Sequence, residues 1–374
     1  MPVPFSRIAA TLAAVTVLAG GVAGASSGSL ATRSAAGQEA WVATGAFDSQ
    51  PGDVVTPVDL AARRVDPAVT TGSQPVAMAV AGAHALVVVN RGVDTLSVVD
   101  TTTGTVTGTV VVGMQPDAVA YVPGVAGGHP MALVANFGSD TVTPVDLTTL
   151  HAGKPIPVGK QPDAIGVWTP GDAGNASSAG NGSGGRGVAV VANFGDGTVT
   201  PIDLATMQPG PAVSAGTEPD AVGIVPPIGD ATTGSATALV ADFGTDTVIP
   251  VDVATMTDGL AVGLGGNPTD MAVAADGTAW VAGGAALTPL APTPSSPPTS
   301  SAPTGSTAGP VSFAAGTPLS LPGEAEAVVL QGSGTAWVAL QNGDLVSVAL
   351  PSGKVGRPVH VGGRPSAVVI PSWS

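Results

Sequence analysis

The chain has 374 residues, of which 44% are hydrophobic, 3% aromatic and 10% charged. Its formal net charge of −15 argues against nucleic acid as a partner, because a phosphate backbone is bound by clustered Lys and Arg. The absence of cysteine excludes disulfide bonds, thiolate metal sites and a Cys nucleophile. Many apolar residues with little charge predict an ordered protein, and Val/Thr runs broken by Gly and Pro favour strands over helices.

The first 25 residues have the features of a signal peptide. Arg7 supplies a positive charge, residues 8–23 are mainly apolar, and the small residues 23–25 suit cleavage. The alternative is a membrane anchor. With cleavage we expect a secreted, extracellular or cell-envelope-associated protein without a transmembrane span, and a disordered N-terminal segment over residues 26–39.

Two phrases recur along the rest of the chain. The first, Ala-Leu-Val-Ala-Asn-Phe-Gly-Ser-Asp-Thr-Val-Thr-Pro-Val-Asp-Leu, covers residues 132–147, and related copies begin at Trp41, Leu86, Ala189, Ala238, Trp280 and Trp337. The second, Gly-x-x-Pro-Asp-Ala-Val, begins near Gly72, Gly113, Gly159, Gly216, Gly265 and Gly362, with a poor copy over residues 323–329. The average spacing of roughly 48 residues is that of four-stranded β-propeller blades.

Each unit is predicted to form four short strands, A to D. In the second unit these are residues 76–80, 86–90, 95–100 and 105–112. The chain begins with a B-type phrase at Trp41 and ends with an A-type phrase at residues 366–370, so the last strand can complete the first sheet. The predicted fold is therefore all-β: a seven-bladed β-propeller over residues 40–374, with four antiparallel strands per blade and the C-terminal strand closing blade 1.

The repeated phrases resemble those of the YVTN-type β-propeller repeat proteins, a family of secreted and surface-layer-associated propellers related to lactonase-like seven-bladed propellers. The resemblance rests on residues 87–90, 133–136 and 190–193, the last two followed by Thr-Val and a Val-Asp or Ile-Asp pair. It departs from the family motif in lacking the Tyr. It implies a propeller fold and says little about function.

Proline marks two irregular features of the predicted blades. Residues 289–310, rich in Pro, Ser and Thr, are predicted to be a disordered insert between strands C and D of blade 6, or alternatively an O-glycosylated stretch. Proline also recurs inside strand C, at Pro57, Pro144, Pro201, Pro250 and Pro289. Because proline cannot donate to a sheet, we expect its nitrogen to face strand D, which must be short or bulged there.

The candidate site lies where the D–A and B–C connections emerge around the mouth of the central channel. One hypothesis is a ring of carboxylates that could hold Ca²⁺ by oxygen ligation, at Asp117, Asp163, Asp220 and Asp270. The alternative is that each Asp only bonds nearby backbone N–H groups. Candidate partner-binding residues on the same face are Arg91, Gln115, Lys160, Gln161, Glu218, Arg364, Phe137, Phe194 and Phe243. The three Phe residues form either an exposed patch or packing between neighbouring blades.

No catalytic or cofactor-binding residue is predicted, because none of the four His residues belongs to a ligand pair such as His-x-x-x-His and no nucleophile or phosphate-binding motif is present. The expected function is a secreted, monomeric, non-catalytic scaffold that binds a protein, glycan or envelope component through the channel-mouth face. The alternative is a propeller enzyme of lactonase-like or quinoprotein-like type with a metal site at the channel mouth.

Overall fold

The computed structural model describes residues 39–44, 53–124, 128–169, 187–228, 235–293 and 311–371. These residues form seven antiparallel sheets, the blades of a seven-bladed β-propeller, and the predicted fold class is confirmed. In blade 2, the predicted strands agree with the observed ones to within one residue at each end. The described part of the chain contains no helix long and apolar enough to cross a membrane.

The strands are named by blade and by position from the channel outward. From blade 1 to blade 7, the innermost strands A are Ala367–Val369, Pro75–Val80, Pro116–Val122, Pro162–Trp168, Pro219–Val225, Pro268–Val273 and Ala325–Gln331. Strands B are Glu39–Thr44, Ala85–Asn90, Met131–Asn136, Val188–Asn193, Thr237–Asp242, Ala279–Gly283 and Thr335–Leu340. Strands C are Val54–Asp59, Thr95–Asp100, Thr141–Asp146, Thr198–Asp203, Thr247–Asp252, Ala286–Pro292 and Asp344–Ala349.

The outermost strand D is continuous in blade 2, where it spans Thr105–Val111, and broken in the other blades. The pairs of pieces in blades 1 and 3 to 7 are Arg64–Val65 and Val69–Thr70, His151–Ala152 and Ile156–Pro157, Gln208–Pro209 and Val213–Ser214, Thr257–Asp258 and Val262–Gly263, Phe313–Ala315 and Leu319–Ser320, and Lys354–Val355 and Val359–His360. A single turn of 3₁₀ helix, Arg91–Val93, joins strands B and C of blade 2.

The prolines of strand C account for most of these breaks. In blade 3 the N–H of Gly153 donates to the carbonyl of Pro144 over 2.7 Å, so the side of Pro144 that lacks an N–H faces strand D. The same bond recurs at the other four prolines. The prediction that proline interrupts pairing with strand D is therefore confirmed.

The last strand closes the ring as predicted. Residues 367–369 pair with residues 41–43 in antiparallel register, and the N–H of Ser366 donates to the carbonyl of Ala43 over 2.9 Å. Trp41, one strand further out, is fully buried. Blade 1 is thus assembled from both ends of the propeller.

Two predicted boundaries need correction. Glu39 already belongs to strand B of blade 1, so the N-terminal segment ends one residue earlier than predicted. Residues 289–292 belong to strand C of blade 6. Residues 289 and 290 pair with strand B, and residues 290–292 pair with residues 313–315 of strand D. The strand tolerates proline here because the proline carbonyl still accepts a hydrogen bond. The rest of that insert, the predicted signal peptide and residues 26–38 lie outside the described residues.

Candidate functional site

In five of the seven blades, the B–C turn is bonded directly to the D–A turn that precedes strand A. The N–H of Phe137, which begins the B–C turn of blade 3, donates to the carbonyl of Gln115 in the preceding D–A turn over 3.0 Å. Equivalent bonds join Arg91 to Gln74, Phe194 to Gln161, Phe243 to Glu218 and Gln341 to Glu324. These two sets of turns therefore form one surface, called the mouth face below.

The Asn that ends the repeated strand-B phrase holds this surface together. The buried amide of Asn136 accepts the N–H of Gly113 over 3.0 Å and donates to the hydroxyls of Thr141 and Thr143. A Cβ on Gly113 would lie 2.5 Å from Cγ of Asn136, which explains why glycine begins the second repeated phrase. The two phrases recur together because the Asn side chain at the end of strand B bonds both to the glycine of a D–A turn and to the threonines of strand C.

In blades 2 to 7 the second residue of strand A is bulged and has no pairing partner in strand B. This position, together with Ser366 just before strand A of blade 1, is called the ring position below. In blade 3, Pro116 pairs with Asn136 and Ala118 with Ala135, so the intervening Asp117 has no pairing partner in strand B. The residues at the ring position, from blade 1 to blade 7, are Ser366, Val76, Asp117, Asp163, Asp220, Thr269 and Glu326. Four of the seven are therefore acidic.

Two of the acidic ring residues are paired with arginine. Asp117 is fully buried and accepts a hydrogen bond from Arg91, whose side chain is 13% exposed. Glu326 is nearly buried and accepts two N–H groups of Arg364. Both arginines were predicted to bind a partner, but each is engaged in an ion pair within the propeller.

Asp163 and Asp220 are fully buried, and no N–H or hydroxyl group of the described residues donates to either carboxyl group. The two carboxyl groups hydrogen-bond each other. Burial raises the pKa of Asp163 well above its usual value, and repulsion from Asp117 and Asp220 raises it further. The pKa of Asp220 is also raised, by burial first and by repulsion from Glu326 and Asp117 among others. Burial raises the pKa of Asp117 to about 7, although Arg91 opposes this shift. Burial and mutual repulsion therefore favour the protonated form of these ring carboxyl groups.

Asp270 differs from the other three Asp residues. It lies one residue beyond the ring position of blade 6, where Thr269 stands, and its carboxylate accepts the N–H groups of Met271 and Val328, each over 2.8 Å. This is the backbone-bonding alternative foreseen for the Asp residues. Among the residues that the structure describes, no group of three or more His, Asp or Glu side chains is placed to hold a metal ion. The calcium hypothesis stays a prediction.

The Phe residues of the B–C turns are packed to different degrees. Phe137 is only 8% exposed; its ring centroid lies 6.5 Å from that of Phe194 and 5.0 Å from the guanidinium carbon of Arg91. Phe194 and Phe243 are half-buried. Because Arg91, Phe137 and Phe194 occupy equivalent turns of successive blades, the contacts favour inter-blade packing over an exposed patch for Phe137.

The predicted residues that do reach solvent are on the D–A turns. Gln115, Lys160 and Gln161 are exposed, whereas Glu218 is half-buried. Both glutamines adopt a left-handed conformation, with φ of 47° and 52°. Their N–H groups donate to side chains of the preceding B–C turn, Gln115 to Asp94 over 2.7 Å and Gln161 to Asp140 over 2.8 Å. The turns are thereby fixed in a strained conformation that presents polar side chains.

Sequence reasoning missed Glu326 as a member of the ring. The copy of the second phrase around Gly323 has Ala325 where the other copies have proline, so Glu326 was not aligned with the three Asp residues. Aligning Ala325 with the prolines of the better copies would have placed Glu326 beside the three Asp residues. The same alignment would have separated Asp270 from them.

The closed ring of seven antiparallel blades defines this chain as a β-propeller protein. No family model matches it, and no curated protein matches it. Hydrazine synthase of Kuenenia stuttgartiensis is similar in structure, with 18% identity, coverage of 78% of this chain and 88% of that chain, and a TM-score of 0.55. A functionally unknown protein from Desulfotomaculum acetoxidans has 15% identity, coverage of 89% and 98%, and a TM-score of 0.66.

A third similar structure is the dihydro-heme d1 dehydrogenase NirN in complex with DHE. It has 12% identity, covers 90% of this chain and 76% of that chain, and has a TM-score of 0.56. At these identities the likeness extends to the fold alone. Two of the three neighbours are named as enzymes, so the shared fold does not decide between a binding and a catalytic role.

Proposed function

We propose that this protein is an exported, non-catalytic β-propeller scaffold that binds a protein, glycan or cell-envelope component through its mouth face. We also propose that it belongs with the YVTN-type propellers, on the strength of the repeated strand-B phrase. The observation that carries the binding role is the pair of fixed D–A turns that expose Gln115, Lys160 and Gln161.

Glutamine amides both donate and accept hydrogen bonds, which suits a partner rich in hydroxyl or peptide groups. The Gln115 and Gln161 side chains lie against glycines of the adjoining B–C turns. A Cβ on Gly138 would lie 3.1 Å from the side-chain oxygen of Gln115, and one on Gly195 would lie 2.4 Å from that of Gln161. Because these turns are already ordered, binding does not have to order them.

The charged groups of the mouth support a non-catalytic role. Arg91, Arg364, Asp117 and Glu326 are used in ion pairs, and Asp270 bonds backbone N–H groups. The observation that favours the alternative, an enzyme with a channel-mouth metal site, is the adjacent buried pair Asp163 and Asp220, to which no N–H or hydroxyl group of the described residues donates. Turnover of a lactone substrate in the presence of divalent metal would support that alternative and overturn the scaffold.

Binding is tested with the purified chain and a cell-envelope fraction as the probe. A Lys160→Ala, Gln161→Ala variant is expected to lose saturable binding to this fraction. The matched control is Lys154→Ala, Gln208→Ala, which removes the same two residue types from exposed positions around the outer strands. Equal binding by the two variants, or no binding by the unmodified chain, would overturn the proposal.

A further inference from the structure

Blade 2 has an outer edge unlike that of the other described blades. Its strand D, Thr105–Val111, is a single piece of seven residues, whereas the other blades have two pieces of two or three residues each. The reason lies in strand C, where Val98 takes the place of the proline found in five other blades and pairs with Gly108. In blade 7, Ser347 takes this place, and Arg63 donates to its hydroxyl.

This edge lacks most of the features that keep sheet edges from pairing. Short edge strands, proline, charged residues and bulges commonly prevent such pairing. Residues 101–115 contain no charged residue, and strand D is the last strand of its sheet. A bulge does lie at Thr107, but residues 108–111 run in regular register with residues 95–98.

Exposed apolar side chains gather at one end of the same strand. Val111 is 71% exposed, Met114 56% and Val93 48%. They are three of the six large apolar side chains that are exposed among the described residues. Val93 is brought to this end of the strand because the N–H of Val112 donates to the carbonyl of Asp94 over 3.0 Å.

The sequence of the strand matches itself when it is reversed. Around Gly108 it reads Thr-Val-Thr-Gly-Thr-Val, so an antiparallel copy related by a two-fold axis would place Thr107 opposite Thr109 and Val106 opposite Val110. Thr–Thr and apolar cross-strand pairs stabilise a sheet. A two-fold axis is also the commonest symmetry of protein dimers. An uncharged edge further limits repulsion between two chains that each carry a net charge of −15.

We propose that strand D of blade 2 pairs antiparallel with the same strand of a second copy of this chain, forming a dimer with one continuous eight-stranded sheet. Because the interface consists of two short strands and a small apolar cluster, the dimer is a weak one that forms as the concentration rises.

The test is sedimentation velocity of the full chain from low to high micromolar concentration. The unmodified chain is expected to shift from monomer to dimer, and Thr109→Lys is expected to remain monomeric. Ser214→Lys, which places the same charge on an exposed strand-D residue of blade 4, is the matched control and should dimerise like the unmodified chain. Circular dichroism and thermal melting establish that each variant is folded.

A second variant tests the role of strand C. Val98→Pro introduces the residue that five other blades accommodate at this position, and it should break strand D and abolish the dimer. A monomer of the unmodified chain at the highest concentration would overturn the proposal. So would a folded Thr109→Lys chain that dimerises as strongly as the unmodified one.

Discussion

Arg91 and Asp117 join two blades: the guanidinium of Arg91, on the B–C turn of blade 2, donates to the fully buried carboxylate of Asp117 in strand A of blade 3. The same guanidinium lies over the ring of Phe137. A residue expected to face a partner is therefore the cation that compensates a buried charge. Among the described residues, no cation forms an ion pair with the neighbouring ring residues Asp163 and Asp220. The two kinds of ring position should therefore respond differently to substitution.

Arg91→Met is expected to destabilise the protein by about 3–5 kcal/mol at pH 8, because Asp117 must then either be buried as an unpaired charge or take up a proton on folding. The loss should be smaller at pH 5, where Asp117, with a pKa of about 7 even beside Arg91, is protonated. Urea denaturation at both pH values measures this. The double variant Arg91→Met, Asp117→Asn should recover stability at pH 8; equal losses at the two pH values would contradict the argument.

The raised pKa values of Asp163 and Asp220 predict that stability falls as pH rises. A carboxyl group with a higher pKa in the folded state than in the unfolded state binds more protons when folded. Its stabilising contribution is complete below the unfolded value of about 3.9 and is lost as pH rises through the folded value. The carboxyl groups of Asp163 and Asp220 hydrogen-bond each other, and such a bond requires one of the two to be protonated.

Asp163→Asn and Asp220→Asn should therefore raise the urea midpoint at pH 8 and flatten its decline between pH 5 and pH 8. An amide is uncharged and can donate, so the expected gain is on the order of 1–3 kcal/mol at pH 8. Asp258→Asn, at an exposed position of strand D, is the control and should change neither the midpoint nor its slope with pH. Destabilisation of both ring variants at pH 8 would mean that these carboxyl groups are ionised and needed as such.

The repeated phrases predicted the blades, the ring closure and the breaks in strand D, because these depend on strand order and on the missing N–H of the strand-C prolines. They also brought Asp117, Asp163 and Asp220 to one ring. They did not identify Glu326 in place of Asp270, because the copy around Gly323 lacks the proline that fixes the alignment of the other copies. The burial of Phe137 likewise depends on how the neighbouring blade packs, which the repeat does not encode.

The contact between glycine and Asn in the mouth face can be tested at Gly113. Gly113→Ala places a Cβ 2.5 Å from Cγ of the buried Asn136, which cannot move without losing its bonds to Thr141 and Thr143. We expect a loss of about 1–3 kcal/mol, the range for overpacking a buried contact. Gly263→Ala is the matched control, since a Cβ there meets nothing within 4 Å. Thermal denaturation of both variants measures the difference, and a loss at Gly263 as large as that at Gly113 would refute this account.

Phe137 and Phe243 occupy equivalent turns but should differ in what they contribute. Phe137→Ala removes a nearly buried ring that contacts Phe194 and Arg91, so a loss of about 3–5 kcal/mol is expected. Phe243→Ala removes a half-buried ring and should cost less. Urea denaturation of the two variants gives the comparison. If both substitutions lower the free energy of unfolding only slightly, the three Phe rings form a surface patch and do not pack between blades.

The closing strand should be essential for a stable ring. A chain that ends at Gly363 lacks Ala367, Val368 and Val369, all buried, and leaves residues 41–43 without an inner neighbour. Each buried Val contributes about 1.5–3 kcal/mol, so truncation should lower the free energy of unfolding by several kcal/mol and broaden the thermal transition. A chain that ends at Pro371 keeps the strand and is the control. Addition of a peptide of residues 364–371 to the truncated chain should restore a cooperative transition, whereas a truncated chain as stable as the control would show that blade 1 does not need its final strand.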